Sequence, residues 1–211
     1  MLLSSTSITA ASNIQNETCN TFELFTSHTI YVDDNNTLGP WDGSYEHPFL
    51  YIHDGILHAT DGDTISVFNG IYEETVILNK SINFQGQQQN STIIDGKNNG
   101  SVIIITSDNV SIKELTIRNS GCYKENAGII VIGNTATIAK CTIYRTHTGI
   151  SVHNKSGTII TNCRFHTNGY GIVSTSLNTN VISLYSLGYL FFIAKNPMFL
   201  APPLLNERAS H

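Results

Sequence analysis

GIIVIGNTATIAKCTIY (residues 128–144) is followed by GISVHNKSGTIITNCRF (149–165) and GIVSTSLNTNVISLYS (171–186), and preceded by SVIIITSDNVSIKELTI (101–117). The last three starts, Gly128, Gly149 and Gly171, are 21 and 22 residues apart. That period is too short for a helical hairpin repeat and matches one turn of a parallel β-solenoid. On this period apolar residues fall into columns. Ile103, Ile129, Ile150 and Ile172 form one, and Ile105, Val131 and Val152 a second. Ile112, Ile138, Ile160 and Ile182 form a third, Leu115, Cys141 and Cys163 a fourth, and Ile117, Ile143 and Phe165 a fifth. A coil that cannot bury its own apolar face does so by stacking on the next, with strands about 4.8 Å apart. Gly128, Gly149 and Gly171 are expected at equivalent corners.

Upstream, HPFLYIHDGILHATDGDTISVFNGIYEET places Phe49, Ile52, Ile56 and Ala59 at helical spacing behind Pro48. This predicts a short helix over residues 48–60 that plugs the amino end of the solenoid, covering its open core and strand edges. The chain then divides into an amino-terminal segment (1–28), a leading strand, acidic loop and capping helix (29–63), coils (64–186) and an atypical apolar tail (187–211). In the tail the Asn and Gly corners vanish after Val181. Either it caps the last coil or the chain is a fragment cut off from further coils.

These residues carry a resemblance. IYVDDNNTLGPWDGSYEHPFLYIHDGI followed by GDTISVFNGIYEE resembles the amino-terminal part of right-handed parallel β-helix proteins of the pectin-lyase-like superfamily. The repeats after Gly128 are similar to those of NosD-like and other surface β-helix proteins. The resemblance implies an all-β, right-handed parallel β-helix with coils of about 22 residues. It leaves activity open, because the superfamily holds lyases, hydrolases, epimerases, esterases and non-catalytic surface proteins. Glu73 and Glu74 fall in its G-x-Y-x-E pattern.

Composition narrows the chemistry. Of 211 residues with net charge −5, fifteen of the sixteen acids lie before Asn126, beside only five Lys and Arg. Six Lys and Arg and one acid follow, a balance that excludes a broad nucleic-acid surface. The longest apolar run, Val181 to Ala194, is too short to span a membrane. Seven Asn-x-Ser/Thr sequons favour an extracellular, cell-surface or periplasmic life. The start MLLSSTSITAASN has small residues like a cleavage region but no basic n-region, as a truncated signal peptide would. Cys19, Cys122, Cys141 and Cys163 show no metal spacing. Cys141 and Cys163, stacked on successive coils, are read as buried free thiols.

Between Asn126 and Asn206 there is no Asp or Glu. The resemblance implies that a lyase would hold Ca²⁺ against a uronate, and no carboxylate-built calcium site fits those coils. Paired carboxylates for glycoside hydrolysis are excluded there on the same ground. The aspartates, arginine and glutamines of the superfamily's pectin esterases are matched in kind but not in motif by Gln85, Gln87, Gln88, Gln89, Asp95 and Arg118. Asp95, Asp108, Glu114 and Glu125 show no common column. Copper handling, implied by the NosD likeness, would need a Cys, Met and His cluster that the dispersed His147, His153 and His166 do not make.

Two candidate sites remain. Arg118, Tyr144 and His166 form an outward column flanked by Thr116, Thr142 and Arg164, an aromatic ring between cationic donors that suits a glycan. Asp33, Asp34 and Asp42 form an acidic loop that would take Ca²⁺, although Asp beside Gly is chiefly turn chemistry. Asp54 and His58 are read as a surface helix pair. The expected function is therefore a secreted or surface module binding a polysaccharide, another glycan or a neighbouring surface protein, without an evident catalytic site or required cofactor. The alternative is a polysaccharide-active enzyme of uronate lyase or epimerase type.

Overall fold

The computed structural model describes residues 27–153, 157–175, 180–187 and 192–194. A leading strand β1 (Thr29–Val32) and a helix α1 (Ile52–His58) precede the coils. The first coil is β2 (Thr64–Val67), β3 (Gly70–Tyr72) and β4 (Val76–Leu78). The second is β5 (Asn83–Gly86), β6 (Thr92–Asp95) and β7 (Ile103–Ile105), and the third β8 (Ser111–Lys113), β9 (Thr116–Arg118) and β10 (Ala127–Val131). The fourth is β11 (Thr137–Ala139), β12 (Thr142–Tyr144) and β13 (Thr148–Val152). Then come β14 (Ile159–His166) with β15 (Tyr170–Ser174), and β16 (Asn180–Leu187) with β17 (Phe192–Ala194).

Strands stack in parallel into three faces. The first runs β1, β2, β5, β8, β11 and the start of β14; the second runs β3, β6, β9, β12 and the end of β14. The third runs β4, β7, β10, β13, β15 and β17. Long β14 joins the first two faces, and β16 pairs along its whole length.

The apolar columns are rungs of these ladders. Ile138 pairs with Ile112 and Ile160, and Ile129 with Ile103 and Ile150, all fully buried. One member is displaced: Val181, not Ile182, pairs with Ile160, so the third column ends one residue earlier than expected. The ladder also continues past 186, since Phe192 pairs with Ile172. The expected tail otherwise lies outside the described residues, as does segment 1–26.

The three glycines are equivalent but are not corners. Gly128, Gly149 and Gly171 sit second in β10, β13 and β15 and are buried. A Cβ on Gly149 would lie 2.5 Å from the Gly171 carbonyl oxygen and 2.7 Å from the Phe165 ring. Close approach between faces therefore demands glycine there. The corners are left-handed residues instead: Glu114, Lys140 and Asn162 at φ 59°, 51° and 53°, then Asn119, Arg145 and Thr167 at 59°, 52° and 53°. One such residue breaks the pleat's alternation, so that Ile112 and Leu115, three apart, both point inward. Asparagine tolerates this region better than other residues, which accounts for two of the six.

α1 starts later than expected. Pro48 is buried in the lead-in, Phe49 bridges to Val32, and the helix begins at Ile52 with Tyr51 as its extended N-cap. Ile52, Gly55 and Ile56 face the core, and a Cβ on Gly55 would touch Val32 at 3.0 Å, so a small residue lets the helix lie close on β1. Only seven residues long, α1 is held at both ends by side chains of the coils. Glu74 accepts from the backbone N–H of Ile52 (2.9 Å) and His53 (3.0 Å), while the Lys80 ammonium donates to the carbonyls of Ile56, Leu57 and Ala59. Each supplies what a helix end lacks. The Asp54 and His58 pair is made through the backbone: His58 Nδ1 meets the Asp54 carbonyl at 2.8 Å, and its ring stacks on Phe49.

Candidate functional site

On the second face the outward column is longer than the sequence showed. Asp95 pairs with Arg118, Arg118 with Tyr144, and Tyr144 with His166 on four successive rungs. Asp95 thus extends the Arg118 column by one rung, while Asp108, Glu114 and Glu125 lie outside it. Arg118 Nε donates to Asp95 Oδ2 at 2.7 Å, and its Nη1 donates to the Tyr144 hydroxyl at 3.1 Å. Asn119 Nδ2 reaches both Asp95 oxygens, at 2.9 and 3.0 Å, and the Lys97 backbone N–H donates to Oδ1 at 2.9 Å. Burial alone would raise the Asp95 pKa, but these donors outweigh it and hold the carboxyl below its ordinary range. The Arg118 guanidinium is held charged first by the Tyr144 hydroxyl and then by Asp95.

Tyr144 and His166 stack at 4.6 Å with an interplanar angle of 12°, and the Arg145 guanidinium lies 5.9 Å from the Tyr144 centroid. Those neighbours occupy the ring faces of Tyr144. What the column offers a ligand is therefore ring edges and cationic donors. Arg164 pairs with Thr142 in the adjacent outward column and is exposed. The 87–91 turn stands over one edge of this face: Thr116 Oγ1 donates to the Gln89 carbonyl (2.7 Å), and Gln89 Nε2 donates to Thr142 Oγ1 (3.0 Å). Thr116 is buried by it although it points outward.

The sequence missed Asp95, Gln89, Asn119 and Arg145 as neighbours of the column. The one available signal was the 23-residue step from Asp95 to Arg118, hidden beside the 26-residue step from Arg118 to Tyr144. Of the remaining carboxylates, Glu114 binds Lys140 (3.1 Å), Asp108 accepts from Asn134 in a corner and Glu125 lies near Lys124.

The acidic loop bonds to its own turns and, through Asp34, to β3. Asp33 Oδ1 accepts from Asn35, Asp34 Oδ2 from the Ile71 N–H (2.9 Å) and Asp42 Oδ1 from the Ser44 N–H (2.9 Å). Among the described residues no group of three or more His, Cys, Asp or Glu is placed to hold a metal ion. Cys141 and Cys163 are buried free thiols, and burial pushes the Cys141 thiol up. Among the described residues no helix is long and apolar enough to cross a membrane.

Coils, cap and ladder together define a parallel β-helix. The chain belongs to the right-handed β-helix region family, whose pattern matches residues 54–185. No curated protein matches it. Among solved structures it is similar to pectin methylesterase PemA from Erwinia chrysanthemi, with 18% identity over 75% of this chain and 55% of that chain and a TM-score of 0.56. It is similar also to a pectin methylesterase from Yersinia enterocolitica, with 13% identity over 65% of this chain and 55% of that chain and a TM-score of 0.54. A third, a pectin methylesterase mutant in complex with a hexasaccharide, has 17% identity over 75% and 67% and a TM-score of 0.50. The chain spans about half the length of the first two. At these identities the likeness establishes the fold.

Proposed function

We propose that this chain is a secreted or surface β-helix module that binds glycans through the second face, without catalysing their cleavage. The observation that carries the reading is the unbroken Arg118, Tyr144 and His166 column with exposed Arg164 beside it. These coils present cations and ring edges and hold no acid after Glu125 until Glu207. Guanidinium groups donate in a planar fork that suits vicinal hydroxyls and carboxylates. A neighbouring surface protein bearing acidic groups would meet the same donors. The third similar structure holds a hexasaccharide, which supports a carbohydrate ligand for this fold.

An enzymatic reading draws on one observation, the 2.7 Å contact of Asp95 with Arg118. Against it, every Asp95 oxygen is already bonded, and a carboxyl with a lowered pKa is a weak base. Arg118, held charged, is equally poor at taking a proton from a uronate. Isothermal titration with galacturonate hexasaccharides, whose carboxylates meet the cations of this face, tests the binding reading. Saturable heat that falls at least fivefold in affinity on Arg164→Ala supports it; no binding overturns it.

A further inference from the structure

The first face behaves unlike the second. Across β1, β2, β5 and β8, the outward residue Tyr31 pairs with Ser66, Ser66 with Gln85 and Gln85 with Lys113. The parallel outward column of Thr29, Thr64 and Asn83 carries no charge. At the amino end three rings meet. Tyr31 and Phe68 stack at 5.9 Å and 27°, and Tyr45 stands at 88° and 90° to them, 5.3 and 5.5 Å away.

Tyr45 is nonetheless 62% exposed. Its loop is fixed, since the backbone N–H groups of Asp42 and Gly43 both donate to the His47 carbonyl and that of Tyr31 donates to the Gly43 carbonyl. The ring is thus anchored by two others in an orientation that leaves most of it in water. A ring held in place and largely exposed, with polar groups beside it, is a ready stacking platform.

The rim is uncommitted. The hydroxyls of Tyr31, Tyr45 and Ser66 and the Gln85 carboxamide make no hydrogen bond within the described chain, whereas on the second face Asp95, Arg118, Tyr144, Gln89, Thr116 and Thr142 bond to one another. Neutral donors and acceptors beside an anchored ring match a pyranose, which has an apolar C–H face and a rim of hydroxyls. An anionic sugar would find one unpaired cation here, Lys113, three rungs from the rings. A strand spacing of about 4.8 Å places Ser66 and Gln85 where successive parts of one chain would reach them.

We propose that the outward face of β1, β2 and β5, with Tyr45 as platform and Ser66 and Gln85 as hydrogen-bonding rungs, is a second binding surface, for a neutral oligosaccharide chain lying across the strands. It shares no residue with the Arg118 column and stands or falls independently of it.

Native gel electrophoresis of the full chain in gels containing β-1,4-galactan, xyloglucan or mixed-linkage glucan tests the proposal, with polygalacturonate as the anionic counterpart. The expected result is retardation by at least one neutral polymer. Tyr45→Ala and Gln85→Ala should each weaken it at least fivefold, with unchanged unfolding midpoints, while Tyr144→Ala leaves it intact. Gln85→Ala, on strand β5, keeps the test valid if the Tyr45 loop is perturbed. No retardation in any neutral gel overturns the proposal. Undiminished retardation of both variants does so too, as does loss of neutral binding on Tyr144→Ala. Retardation in polygalacturonate gels that Tyr45→Ala and Gln85→Ala both weaken would overturn the preference for a neutral chain.

Discussion

Asp95 and Arg118 stand side by side on adjacent rungs of one ladder, joined at 2.7 Å, with 6% and 23% of their side chains exposed. Removing the carboxylate would strand the guanidinium and the Asn119 amide. Breaking a buried pair typically costs 3–5 kcal/mol, and the partial exposure of Arg118 lowers the expectation for Asp95→Ala to about 2 kcal/mol. The folded pKa of Asp95 is depressed, so its contribution is present above the unfolded value of about 3.9 and is lost as pH falls through the folded value. Urea denaturation from pH 6 to 2 should show wild type and Asp95→Asn converging in acid. A constant gap would mean that the charge does not matter.

Glu74 has the opposite sign. Burial raises its pKa despite the two helix N–H donors, so the native state holds its proton more tightly than the unfolded chain. Its contribution is greatest below the unfolded value of about 4.3, and stability falls as pH climbs from there to the raised folded value. Glu74→Gln should flatten that limb. Glu74→Ala, which leaves the Ile52 and His53 N–H groups without a partner, should cost about 1 kcal/mol. Both effects are read from unfolding midpoints between pH 4 and 7.

The core was legible because its periodicity is enforced by packing. Ile112, Ile138 and Ile160 must occupy one column if each coil is to cover the last, and they do. Ile138→Asp should prevent folding, because an unpaired carboxylate would sit in a fully buried rung. Ile138→Ala should cost about 2–5 kcal/mol by the cavity it leaves. Soluble expression and circular dichroism distinguish the two. A folded Ile138→Asp protein would contradict the stacked core.

Other features were hidden for physical reasons. Glycine at a strand's second residue and glycine at a corner look alike in sequence, but only the fold shows that Gly149 faces the Gly171 carbonyl and the Phe165 ring. The Asp95 rung was obscured by the longer turn 119–126, which shifts spacing without disturbing the ladder. Surface columns have no packing to enforce a pattern, so Tyr45 meeting Tyr31 and Phe68 left no trace. Gly149→Ala should therefore destabilise by about 1–3 kcal/mol through overpacking, measured by chemical denaturation. A neutral effect would show that the faces separate easily there.

Finally, the isolated chain should lack strong uronate lyase activity with or without added Ca²⁺. Elimination needs a cation to neutralise the uronate carboxylate and a base to take the α-proton. Ca²⁺ prefers six to eight oxygen ligands, several of them carboxylate. Asp95 is the carboxylate within the column, and its oxygens are filled by Arg118, Asn119 and Lys97. Glu73, near its open end, is engaged by the Lys97 ammonium at 2.7 Å. Arg118 stays protonated between Asp95 and Tyr144 and is no base. An absorbance assay for unsaturated product on polygalacturonate should stay at background at 1 mM Ca²⁺, a concentration of the order at which weak extracellular sites fill. A Ca²⁺-dependent rise abolished by Arg118→Ala would instead make the second face catalytic. Binding of the same polymer without turnover, weakened by Tyr144→Ala and Arg164→Ala together, would mark that face as a contact surface.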